Sequence, residues 1–313
     1  VKDLKDVFPV AVISLLAPGQ GSQTPGMLTP WLALPGAVDR VALWSKISGL
    51  DLERLGTTAD AQEISDTAVT QPLIVAASLL AFEELDRRGL LPESFIVAGH
   101  SIGEFTAAAV AGVISSDDAV ALAALRGAEM AKACAITPTG MSAVLGGSEQ
   151  DVLARLEELG LEPANRNAVG QIVAAGPIEA LEELAATPPE KARIRPLSVA
   201  GAFHTRFMEP ARAAVAGAVE SIIPMEPTQV LLSNRDGRPV SSGQDALDRL
   251  ADQITRSVRW DRCTEYLTTA GVTGLAELAP GGTLTGIAKR EMRGVPSVAI
   301  KTPEDVEKVA DLA

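Results

Sequence analysis

The chain has 313 residues, 47% of them hydrophobic, and a net charge of −13. That is enough for a large core with a smaller second unit, and it counts against nucleic acid as a general partner, because phosphate binding needs a basic field. Its two cysteines, Cys134 and Cys263, lie far apart without ligand-like spacing, so neither a disulfide framework nor a metal site is expected.

The apolar run over residues 9–17 reads as a strand entering a Gly-rich turn rather than a signal segment, because the charges of residues 1–6 balance. No stretch is read as membrane-spanning. A cytoplasmic chain without a membrane partner is expected.

In chain order, residues 10–16 predict a buried strand and 72–88 an amphipathic helix carrying Leu73, Val75, Ala76, Leu79, Leu80 and Leu85. A strand over 96–98 runs into Gly99-His100-Ser101-Ile102-Gly103-Glu104, and a small-residue helix over 101–111 follows. Between Thr139 and Val199 the rhythm changes. Strand 141–145, helix 149–159, strands 162–165 and 171–174 joined through 167–170, helix 178–186 and strand 192–199 give the order βαββαβ, a ferredoxin-like arrangement. Residues 207–222 then read as a helix, and 230–232, 275–279 and 297–300 as strands. The fold expected is α/β: an α/β-hydrolase-like core with a mostly parallel sheet, over 9–138 and 200–313, plus an inserted ferredoxin-like subdomain over 139–199. The hinges would be 138–140 and 200–201, leaving a cleft between the two units.

Gly-x-Ser-x-Gly between a strand and a helix has the pattern of a nucleophile elbow. The glycines allow a sharp turn that exposes Ser101 Oγ, while the helix N-terminus presents N–H groups to a developing oxyanion. A serine hydroxyl needs a positioned base, and the chain has only two histidines. His100 adjoins the serine and its side chain would diverge from it, so it orients the turn or lines the pocket. His204, at a predicted strand end, is the candidate base; the alternative is a core or capping histidine. Arg126 lies in an otherwise apolar helix-like run. It is either half of a structural salt bridge or a bidentate clamp on a substrate carboxylate. Lys289, Arg290 and Arg293 fall on one predicted helix, and Arg235 and Arg238 flank a turn at Asp236-Gly237. They are solvated faces or contacts for phosphate or an acidic partner.

With these residues assembled, the chain resembles the malonyl-CoA:acyl-carrier-protein transacylases of fatty-acid synthesis and the acyltransferase domains of polyketide synthases. Carrying the likeness are Gly19-Gln20-Gly21-Ser22-Gln23, Thr70-Gln71-Pro72, the elbow, Arg126-Gly127, Gly140-Met141, Asn165 to Asn167 with Gly170-Gln171, Ala202-Phe203-His204, Gln253 with Val258-Arg259-Trp260, and Pro280-Gly281 with Leu284-Thr285-Gly286.

The resemblance implies a ping-pong transfer of malonyl from malonyl-CoA through Ser101 to the phosphopantetheine thiol of acyl carrier protein, with His204 as base and no cofactor or metal. It further implies that the backbone carbonyl of Gln253 orients His204 and that the N–H groups of Gln20 and Ile102 form the oxyanion hole. Arg126, Phe203, Gln71, Asn165, Asn167 and His100 would contact substrate. Malonyl-selective relatives usually carry Phe before the histidine and an aliphatic residue after the serine, as Phe203 and Ile102 do here, so malonyl is preferred over methylmalonyl. A monomer serving fatty-acid biosynthesis is expected.

Two rival readings are a serine hydrolase, for which Asp117, Asp118 or Asp151 would supply the acid of a triad, and a non-catalytic carrier-protein-binding module.

Overall fold

The computed structural model describes residues 12–312. Nine strands form two sheets among these residues. In the larger sheet, β1 (Ile13–Ala17) sits at the centre between β2 (Ile96–Gly99) and β8 (Gly274–Glu277), flanked by β7 (Val230–Leu231) and β9 (Ser297–Ala299). Every pairing is parallel. β1, β2 and β8 are buried throughout, which explains why they read as continuous apolar runs rather than alternating ones. The predicted strand over 10–16 begins outside the described residues; its described part starts at Ile13.

The smaller sheet is antiparallel, in the order β4 (Glu162–Ala168), β5 (Gln171–Pro177), β3 (Thr139–Gly146), β6 (Ala192–Pro196). Helices Glu149–Glu158 and Ile178–Ala186 bury Val152, Leu156, Leu181 and Leu184 with Val144, Ile172 and Ala174 of the sheet. β4 runs past the expected 162–165 toward the turn, and β5 past 171–174 away from it. The hairpin closes on Val169-Gly170, with Gly170 at φ 69°, a left-handed position that glycine tolerates.

Other predicted boundaries also move. The helix expected over 72–88 is Thr67–Arg87, because Asp66 caps it by accepting the Ala68 N–H at 2.8 Å, and Pro72 lies inside rather than at the start. This helix is long and apolar enough to cross a membrane, contrary to the expectation that no such stretch exists, but most of it is buried in the core. The helix after the elbow is Gly103–Val110, and the one expected over 207–222 is a short 3-10 turn, Arg206–Met208, followed by Glu209–Val219. β6 ends at Pro196, so His204 lies in a loop rather than at a strand end.

Register brings the loops together. Ala17 pairs with Gly99 and Leu16 with Glu277, so the Gly19-Gln20 turn, the elbow and the segment after β8 all leave the sheet at its carboxyl edge. Crevices at that edge are where open parallel sheets bind ligands.

Candidate active site

The elbow depends on two close approaches. A Cβ at Gly99 would lie 2.1 Å from Gly103 C, and one at Gly103 would lie 2.2 Å from Ala17 O, so neither position has room for a side chain. Between them Ser101 is held at φ 54°, a conformation costly for a non-glycine residue. Among the described residues, no acceptor takes the N–H of Gln20 or of Ile102, which leaves two donors free beside Ser101.

Ser101 Oγ donates to His204 Nε2 at 2.7 Å, and His204 Nδ1 donates to the Gln253 carbonyl at 2.8 Å. The second bond fixes the tautomer that leaves Nε2 able to accept a proton. His204 sits at φ 61°, in a turn pinned by Thr205 Oγ1 donating to the Ala202 carbonyl at 2.6 Å and Ala202 N–H donating to Thr139 Oγ1 at 3.0 Å. Burial and then the Arg126 charge push its pKa down to about 3, so the ring is neutral near pH 7. Asp117 accepts from Trp44 and Arg40, Asp118 completes a capping box with Ser115, and Asp151 accepts the hydroxyl of the helix cap Ser148. None of the three reaches His204.

Arg126 is 1% exposed. Its Nη1 donates to Gln71 Oε1 at 2.6 Å, and its Nη2 to Gln253 Oε1 at 3.0 Å and to Ser101 Oγ at 3.2 Å. Helices Thr67–Arg87 and Ser116–Cys134 come close enough for this because a Cβ at Gly127 would lie 2.7 Å from Thr67 O. Among the described residues Arg126 has no salt bridge, and its Nε has no partner. Burial lowers its pKa to about 9 despite the nearby Glu104, so the guanidinium keeps its charge at neutral pH. A buried cation held only by neutral amides and a hydroxyl is costly unless an anion joins it. The space available for one is a cavity of about 360 Å³ lined by Ser101, Arg126, His204, Phe203, Asn165 and Asn167.

Gln20 and His100 also line the cavity, whereas Gln71 lies behind Arg126 and orients it instead. His100 Nε2 donates to Asn167 Oδ1 at 2.9 Å, and its ring packs 5.5 Å from Trp260. Burial lowers its pKa. At the rim, Arg290 donates to Gln171 at 3.0 Å. Arg235 and Arg238 are exposed and do not line this cavity. No cluster of His, Cys, Asp or Glu among the described residues could hold a metal ion.

Two residues with structural roles at the site escaped the sequence reading. Glu277, fully buried, accepts the N–H groups of Gly282, Leu284 and Thr285 and the Thr285 hydroxyl at 2.8–2.9 Å. It thereby anchors the helix Thr283–Glu291, which forms one cavity wall. An acid inside the apolar run 275–279 was its signal. Asn234 donates to the Gly99 carbonyl at 2.7 Å and accepts the Ser101 N–H at 2.8 Å; nothing local marks it beyond the turn that follows.

An arrangement of hydroxyl, neutral imidazole, free amides and buried guanidinium can carry an acidic acyl group on a serine ester. Comparison with known proteins agrees with that chemistry. The acyl transferase domain family matches residues 15–302. The malonyl CoA-acyl carrier protein transacylase of Mycobacterium tuberculosis is 64% identical over 302 residues, covering 96% of this chain and all of the relative. The crystal structure of MCAT from the same organism superposes with a TM-score of 0.94, covering 96% of this chain and 99% of that one. A malonyl-transacylase solved in complex with its holo type II PKS acyl-carrier protein is 30% identical with a TM-score of 0.89, covering 97% of this chain and all of that one. The chain is therefore an acyltransferase that belongs to the acyl transferase domain family, among the malonyl CoA-acyl carrier protein transacylases.

Proposed function

We propose that this acyltransferase moves malonyl from malonyl-CoA to the phosphopantetheine thiol of acyl carrier protein by a ping-pong route through Ser101, supplying fatty-acid synthesis. The observation that carries the reading is Arg126: a buried guanidinium without a salt bridge among the described residues, its Nη2 3.2 Å from Ser101 Oγ. A malonyl group esterified there would bring its free carboxylate to that cation, and a bidentate pair is the strong form of such contacts. An acetyl group would leave it unpaired.

In the first half-reaction Ser101 Oγ attacks the thioester carbonyl as its proton passes to His204 Nε2. The negative charge on the carbonyl oxygen is met by the Gln20 and Ile102 N–H groups, each contributing about 3 kcal/mol. The C–S bond breaks, and the CoA sulfur leaves with the proton from His204. In the second half the same nitrogen takes the proton of the carrier thiol, whose sulfur attacks the malonyl ester; the ester C–O bond breaks, and Ser101 Oγ leaves with the proton from His204. The Gln253 carbonyl serves where hydrolases use an acid, and none of the three candidate aspartates reaches His204. The names of the relatives support malonyl and carrier protein as partners.

The reading extends to architecture. The strand order β4-β5-β3-β6 supports a ferredoxin-like insert over 139–199, and the elbow at the end of β2 supports an α/β-hydrolase-like remainder over 9–138 and 200–313.

Intact-protein mass spectrometry after brief exposure to malonyl-CoA tests the reaction. A malonyl adduct on wild type, missing from Ser101→Ala and discharged by holo carrier protein, is expected. Loss of the adduct to water at the same rate without carrier protein would sink the transferase reading.

A further inference from the structure

Asn234 does something unusual at the edge of the large sheet. β2 and β7 pair in parallel register, and the ladder continues beyond β7 with Leu232 N–H donating to the Val97 carbonyl at 2.9 Å. The next rung of a parallel ladder would send the Asn234 N–H to Gly99 O and bring the Ser101 N–H to Asn234 O. Both bonds exist, but the side-chain amide makes them: Nδ2 donates to Gly99 O at 2.7 Å and Oδ1 accepts from Ser101 N at 2.8 Å. The main-chain groups that the amide replaces go elsewhere. Asn234 N–H donates to Glu104 Oε1 at 2.7 Å, and its carbonyl accepts from Arg259 N at 2.8 Å.

We infer that Asn234, seated by Glu104, is a positioning residue for acyl transfer, its amide acting as a surrogate ladder rung that fixes the strained elbow and occupies the Ser101 N–H. The backbone can leave the sheet at His100 without leaving Gly99 O and Ser101 N unpaired, a cost that would fall where the chain is already strained. Taking up the Ser101 N–H also selects the next amide, that of Ile102, to face the developing charge. The residue is 1% exposed and does not line the cavity, so it acts through Ser101 rather than on substrate. Glu104, on the first turn after the elbow, is equally buried from solvent at 4%, which ties the elbow helix back to the residue that holds the elbow.

This inference rests on the reading of Ser101 as the acyl acceptor, and the test separates the two. Rapid-quench mass spectrometry would time malonyl-Ser101 formation in wild type, Asn234→Ala, Asn234→Asp, Glu104→Ala and Glu104→Gln, with folding checked by circular dichroism. Asn234→Asp keeps the acceptor and loses the donor. The Asn234 variants should lose about 100-fold in acylation rate and kcat, the scale of an ångström's misplacement of a reacting group, with the malonyl-CoA KM changed little. Glu104→Ala should lose less, and Glu104→Gln, which keeps the acceptor, should restore most of that loss. Folded Asn234 variants acylating as fast as wild type, or changed only in KM, would overturn the inference. If they do not fold, Glu104→Ala with a wild-type rate, or a Ser101 amide in wild type that exchanges with solvent as fast as an exposed loop, would do the same. No adduct on wild type would instead sink the reading of Ser101 itself.

Discussion

The two sheets divide the cavity by kind of residue. The large unit brings Ser101, His204, Arg126, His100 and Arg290 to it, so every ionisable or nucleophilic group in the lining comes from the elements around the parallel sheet. The small antiparallel sheet supplies Met141, Asn165, Asn167, Gln171 and Val173, all uncharged. A parallel sheet buried on both faces fixes loop ends at one edge, and that rigidity suits groups whose spacing sets a reaction. A hairpin sheet packed on one face by two short helices can shape a wall, where tolerance is greater. In the proposed reaction, then, substitutions of the ionisable lining residues should cost turnover of malonyl-CoA, and those of the uncharged lining residues should change fit.

Arg126→Ala tests that division most severely. Removing one member of a buried, hydrogen-bonded charge pair costs about 2–5 kcal/mol, so kcat/KM for malonyl-CoA should fall by two to three orders of magnitude while acetyl-CoA is used as well as before or better. Equal loss on both thioesters would make Arg126 structural. The same cation lowers the basicity of His204, and a bound carboxylate would neutralise that field. His204 must be neutral to accept the serine proton, so a higher pKa in the complex moves the acid limb upward: the limb of kcat against pH should lie at higher pH with malonyl-CoA than with acetyl-CoA. Coincident limbs would mean that the two groups are uncoupled.

Glu104 gives an effect on stability as well as on rate. Burial raises its pKa from an ordinary 4.5 to about 8, against the hydrogen bonds from Asn234 and Ser233 and the charges of Arg126 and Arg249; the Cys263 thiol also faces it. The folded state therefore binds a proton that the unfolded state releases. The corresponding stability is fully present below pH 4.5 and is lost as pH rises through about 8, on the order of 3 kcal/mol between pH 4.5 and 7. Denaturation of wild type and Glu104→Gln should give curves that converge near pH 4.5, with the variant gaining relative to wild type up to pH 8. A constant difference across that range would show that Glu104 is not protonated on folding. His204, with its pKa lowered, contributes in the opposite sense between 6.5 and about 3, but it is common to both proteins and cancels in the difference.

What was legible in the sequence follows from range. The elbow is a local pattern, and the strand and helix around it are read from adjacent residues. Arg126 stood out because its neighbours are apolar, and Glu277 could have been read by the same contrast. Gln71 and Gln253 reach Arg126 across 55 and 127 positions, and Asn234 reaches Ser101 across 133. No periodicity encodes such meetings. Only the packing of Gly127 against Thr67 and the register of β2 on β7 create them. Boundaries failed where a capping residue competed with a stronger signal, as Asp66 did with Pro72.

Phe203 tests the wall nearest the base. It is 7% exposed and lines the cavity one residue before His204, so its ring occupies volume that an α-methyl branch would need. Phe203→Ser should raise kcat/KM for methylmalonyl-CoA relative to malonyl-CoA by about 1–3 kcal/mol, the worth of one methyl group in an apolar site. Selectivity unchanged in competition between the two thioesters would move the determinant elsewhere, with Met141 and Val173 of the small sheet the next to try.

The smallest effect belongs to the rim. Lys289 and Arg290 sit in the last turn of the helix that Glu277 anchors, Arg293 follows it, and Arg290 bridges to Gln171 of β5. Basic residues at a helix C-terminus also complement the helix dipole, so their charge alone does not assign them to a partner. The readout must therefore separate docking from helix stability. If this rim meets an acidic carrier protein, Lys289→Glu with Arg293→Glu should raise the carrier-protein KM several-fold, about 1 kcal/mol for exposed pairs, and flatten its dependence on salt. The first half-reaction with malonyl-CoA and the melting temperature should hold. A fall in melting temperature with an unchanged carrier-protein KM would assign the charges to the helix and leave the docking surface to be sought elsewhere.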